Sequence, residues 1–133
     1  MMKGITYLII GLTMIILLFA CNKDKGPFFI EEADISEIDT VSYSTHIQPI
    51  FDMNCVACHN ASHAKLDLLT SVSYNELLTT GFSAPYVNTT NPEQSNLYLH
   101  LTGALSIMPP AGSLSLNDQE LVLLWITQGA LNN

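Results

Sequence analysis

Cys55-Val56-Ala57-Cys58-His59 sets two thiols three positions apart, with an imidazole directly after the second. This C-x-x-C-H spacing is the attachment signature of a c-type haem. Each thiol adds across one vinyl group of the porphyrin and forms a thioether. The spacing brings the two sulfurs to neighbouring positions of one helical turn. The adjacent His59 then presents its imidazole to the iron from the same side. Three other chemistries use a CxxC pair. A zinc half-site needs two more ligands, and only His63 and His100 are available to complete it. A thioredoxin-type dithiol wants a βαβ setting, and no strand pattern is visible. A plain disulfide is the third alternative.

A haem iron held by His59 needs a sixth ligand from elsewhere in the chain. Met108-Pro109-Pro110 is the leading candidate. A thioether suits haem iron and raises its potential relative to two imidazoles. The prolines stiffen the segment and deny it helix, which lets the sulfur be aimed. A lone Met is ordinarily core filler, but the Met-Pro-Pro setting sets Met108 apart from that role. Met53 lies too close to the CxxCH on the same segment. His100 is the competitor to Met108, and two imidazole ligands would imply a lower potential. His46 reads as a surface or capping residue, and His63 as a solvent-facing loop residue.

Four helical segments are expected to position these groups, with no strands, so the domain is expected to be all-α with long loops. The first starts near Thr45 with Pro49 in or near its first turn. Ile47, Ile50, Phe51 and Cys55 form one apolar stripe along it. A second, Tyr74 to Leu78, carries a Ser73/Glu76 capping-box pattern and stops at Gly81. A third, Pro92 to Leu101, has Asn91 as its cap and Gly103 beyond its end. The fourth, Leu116 to Gln128, is capped by Ser115 with Asp118 or Asn117 with Glu120, and ends at Gly129. Leu121, Leu124, Trp125 and Ile126 give it a broad apolar face.

The 133 residues are room for one domain, preceded by other material. Met1-Met2-Lys3 and the apolar run from Ile5 to Ala20 read as an export signal over residues 1–20. The run falls short of the roughly 20 residues a membrane span requires, and a permanent span is the alternative reading. Leu18-Phe19-Ala20-Cys21 resembles a bacterial lipobox. That resemblance implies cleavage before Cys21, acylation of Cys21 and membrane attachment by lipid. Residues 21–42 read as an acidic tether, with the domain over 43–131. The cysteine count closes on this scheme: Cys21 takes lipid, while Cys55 and Cys58 take haem. The chain carries 12 carboxylates against 4 lysines and no arginine. That balance argues against nucleic acid, which needs basic groups to displace phosphate counterions. It favours neutral or basic partners, or serves solubility alone.

From Tyr43 to Ala130 the chain resembles class I cytochrome c, and more closely the short cytochrome c-like domain of planctomycete and Bacteroidetes surface proteins. The resemblance rests on His46-Ile47-Gln48-Pro49-Ile50-Phe51, the CxxCH, Leu66-Asp67-Leu68, Asn91-Pro92-Glu93-Gln94-Ser95, Met108-Pro109-Pro110, and Leu121 through Ala130. It implies a small all-α fold with crossing N- and C-terminal helices around one covalent haem c. It also implies His59 and Met108 as the axial iron ligands. On that pattern Trp125 packs at the helix crossing, and Leu68, Tyr98 and Leu121 wall the haem. The chain departs from the family in lacking a lysine-rich face.

A haem with two protein ligands has no open position, so one-electron transfer is its natural task. The expectation is a lipid-anchored electron carrier, not an enzyme, outside the cytoplasm in the bacterial envelope. Its partners would be envelope redox proteins, and the membrane through Cys21. Two alternatives stay open. One is a haem enzyme or a gas or peroxide sensor with a labile sixth ligand. The other is a haem-stabilised interaction module.

Overall fold

The computed structural model describes Ile35 and residues 38–133. The expected export signal, Cys21 and most of the expected tether lie outside the described residues. Among the described residues the regular structure is helical, with no strand, and no helix is long and apolar enough to cross a membrane.

A π-type turn over Tyr43–Ile47 runs directly into helix α1, Gln48–Asn54. Pro49 sits in the first turn of α1, where its missing N–H costs nothing. The entry is capped twice. The Ser42 hydroxyl accepts from the Thr45 N–H, and the His46 Nδ1 accepts from the Ser42 N–H at 2.9 Å. His46 is thus the capping residue expected. Ile47, Ile50 and Phe51 are buried, so the apolar stripe faces the core.

The second helical segment joins α2, Ser73–Asn75, to a π-type turn over Glu76–Thr80. It carries no capping box. Ser73 lies inside the helix, fully buried, rather than at its cap. Its hydroxyl accepts from the Tyr43 hydroxyl at 2.7 Å and donates to Gln48 Oε1. Gln48 Nε2 in turn donates to the Leu68 carbonyl and to Asp52. This hydrogen-bonded chain links two stretches distant in sequence, 43–52 and 68–73, which is worth more than a local cap.

The third segment is broken. A 3₁₀ turn, Pro92–Gln94, is separated from α3, Asn96–Leu101, by Ser95 in an extended conformation. Asn91 makes no side-chain cap. Ser95 turns its buried hydroxyl to the Asn88 N–H at 2.8 Å, satisfying a loop amide at the expense of helix continuity. Helix α4, Leu116–Thr127, begins as expected with the Ser115 hydroxyl accepting from the Asp118 N–H. It ends at Gly129, whose φ of 98° suits glycine.

The core centres on Trp125, Phe51, Ile47, Leu77, Ile126 and Val122, all fully buried. Tyr43 joins the two ends of the domain. Its ring lies 5.3 Å from that of Trp125 on α4, and edge-on to Phe51 and Tyr74. Packing reaches past 43–131 on both sides. Val41 is buried, its N–H held by Gln128 Oε1 at 2.8 Å, and Asn133 accepts from the Tyr43 and Ser44 amides.

Candidate functional site

The chain leaves α1 through a tight turn that carries the CxxCH. The Cys55 and Val56 amides both donate to the Phe51 carbonyl, and the Cys58 and His59 amides both donate to the Cys55 carbonyl. Neither cysteine is in a disulfide. Cys58 is exposed and Cys55 half-buried. Burial pushes the Cys55 thiol up to about 11, so it stays protonated at neutral pH.

His59 is fixed by the loop that follows it. Its carbonyl accepts from the Leu68 N–H at 3.0 Å, and its Nδ1 lies 3.2 Å from the Leu66 carbonyl oxygen. A carbonyl can only accept, so Nδ1 carries the proton and Nε2 keeps the lone pair. That is the tautomer a metal-binding imidazole needs. Burial pulls the His59 pKa below its usual value. The Leu66 hydrogen bond works the other way, and the nearby His63 and His100 add a smaller lowering. The neutral, ligand-competent imidazole is therefore favoured at physiological pH.

Cys55, Cys58 and His59 line a cavity of about 660 Å³, together with His100 on α3 and Met108 on the segment between α3 and α4. That volume is typical of a cofactor site, for which about 300–1,000 Å³ is usual. Phe51, Leu66, Leu68, Leu97 and Leu101 supply apolar wall. Leu68 is a wall residue as expected, whereas Tyr98 and Leu121 do not line the cavity. Met108 is half-buried, and its N–H donates to the His100 carbonyl at 3.0 Å. The His100 Nδ1 donates to the Ser106 carbonyl at 2.6 Å, so its Nε2 also keeps a lone pair. Both candidate sixth ligands thus reach the same cavity.

His63 is not the simple solvent-facing residue its loop position suggests. It lines the cavity, and its ring packs 4.3 Å from that of His59. Its position follows from the turn at Asn60, whose carbonyl accepts the His63 N–H and whose side chain accepts from Ser62. The only sequence signal for it was its place four residues after His59, which acquires meaning once the loop closes on Leu66 and Leu68. Among the described residues, no group of three or more His, Cys, Asp or Glu side chains is placed to hold a metal ion directly.

No family model, no curated protein and no solved structure matches this chain.

Proposed function

We propose that the domain holds one covalent haem c and acts as a one-electron carrier with a small cytochrome c-like fold. The observation that carries this reading is the convergence of Cys55, Cys58, His59 and Met108 on one largely apolar cavity of about 660 Å³. The donor set fits the group: two unpaired thiols at attachment spacing, an imidazole held with Nε2 free, and a thioether. A raised thiol pKa at Cys55 speaks against the dithiol redox alternative, which depends on a depressed one.

Cys55 and Cys58 would hold the haem through thioethers, and His59 Nε2 and Met108 Sδ would bind its iron. When bound, the haem supplies a reversible Fe(III)/Fe(II) couple. The residues do the rest. The Leu66 carbonyl orients His59 and strengthens it as a donor. The leucines of the wall exclude water, which favours the less charged reduced state. Tyr86 helps close the wall, its hydroxyl donating to the Lys65 carbonyl at 3.3 Å.

His100 supports a second reading. It faces the same cavity with an uncommitted Nε2, so it would serve as sixth ligand in place of Met108, or as the polar group of an open catalytic or sensing site. An optical spectrum of the domain, produced in a host that matures c-type haem, separates these. A c-type pyridine haemochrome, a methionine-sulfur charge-transfer band in the oxidised form and no change with CO support the carrier. A c-type spectrum with CO binding supports the open site. No covalent haem removes the reading.

Lipid attachment at Cys21 and a place in the bacterial envelope complete the proposal, resting on the lipobox resemblance. Cys21→Ala should release the protein from the membrane fraction or leave its signal uncleaved. Normal cleavage with unchanged fractionation would remove that part.

A further inference from the structure

A haem brings two carboxylates as well as an apolar disc. Leucine walls cannot receive them, because an ionised carboxylate buried without a partner is strongly disfavoured. Lys65 is the only Lys or Arg in residues 38–133, and it lines the cavity. His63 beside it is prepared as a donor. Its Nδ1 accepts from the Lys65 N–H at 3.3 Å and the Leu66 N–H at 3.2 Å. Nδ1 is therefore the unprotonated nitrogen, and Nε2 carries a hydrogen. The other polar groups nearby are committed. The Tyr86 hydroxyl donates to the Lys65 carbonyl, and the Ser62 hydroxyl donates to Asn60.

We propose that Lys65 and His63 form the anion-holding part of the cavity lining and receive the cofactor's carboxylates. The inference rests on the haem reading and adds a polar patch to it: a cation and a ring N–H beside His59. Lys65 acts by its charge, and His63 as a neutral donor. A cation at this place opposes the extra positive charge of ferric iron, so it raises the midpoint potential. Lys65 is exposed, so added salt weakens this effect.

The experiment compares the haem-loaded wild type with Lys65→Gln, Lys65→Arg and His63→Asn by equilibrium redox titration at low and high salt. Each sample is first tested for covalent haem by pyridine haemochrome. Lys65→Gln should lower the midpoint potential at low salt, Lys65→Arg should restore it, and the difference should narrow at high salt. His63→Asn, which keeps an N–H donor, should lie between the wild type and Lys65→Gln. A Lys65→Gln potential equal to wild type at low salt, or a lowered potential that Lys65→Arg does not restore, overturns this inference while leaving the haem reading intact. Absence of covalent haem in the wild type overturns both.

Discussion

Single side chains in this domain show how burial sets chemistry. The Tyr43 phenol is pushed up to about 12, chiefly by burial, with the Ser73 hydrogen bond opposing. Its ordinary value is about 10. Between these values the unfolded chain has lost the phenol proton while the folded one keeps it. The stabilisation is thus complete below pH 10 and disappears as pH rises to 12. Tyr43→Phe should therefore show a shallower fall in melting temperature than wild type over that window. At neutral pH the same variant should cost about 1 kcal/mol, because the Ser73 hydroxyl loses a buried donor. Urea unfolding at pH 7 and thermal scans from pH 9 to 12 measure the two effects separately. Met108 makes a second residue-level prediction. In the haem-loaded protein, Met108→Ala should abolish the methionine-sulfur band and admit CO to the reduced form, with covalent attachment unchanged. Retention of the band would mean the sulfur is not the ligand.

At the scale of elements, the sequence announced those helices whose signals are local. Ser115 caps α4 and Gly129 ends it, both through contacts within a few residues. Ser115→Ala should cost about 1 kcal/mol in chemical denaturation. Gly129→Ala should cost about 1–2 kcal/mol from the left-handed backbone alone, since no atom lies within 4 Å of the added Cβ. Where a distant partner competes for the same group, local reading failed. Ser73 has the spacing of a capping box, but Tyr43 and Gln48 claim its hydroxyl. Ser95 stands where a continuous helix was expected, but the Asn88 amide draws it into an extended conformation. The site divides the same way. The CxxCH and Met-Pro-Pro could be singled out from residue types and spacing alone, and both line the cavity. The inward turn of His63 was not, because it depends on how the 59–68 loop closes.

For the whole molecule, stability has two sources. One is the aromatic core, in which Trp125 is fully buried and donates its indole N–H to the Leu131 carbonyl at 3.0 Å. Trp125→Ala should cost about 3–5 kcal/mol, a large share of the total for a domain this small. The other source, on the proposed reading, is the cofactor. Any group that binds only the folded state stabilises it. The double variant Cys55→Ser/Cys58→Ser should therefore lack covalent haem and melt well below the loaded wild type. Equal melting temperatures would show that the helices carry the fold without it.

The hydrogen bond from the Met108 N–H to the His100 carbonyl ties the two candidate ligands of the proposed haem together by one backbone link. Neither can leave its station without disturbing the other. Amide hydrogen–deuterium exchange at Met108 therefore acts as a clock for the whole ligand loop. Slow exchange in the loaded protein would report a strap that stays shut through many redox cycles. Fast exchange would report a strap that opens often enough for His100 to trade places with the sulfur.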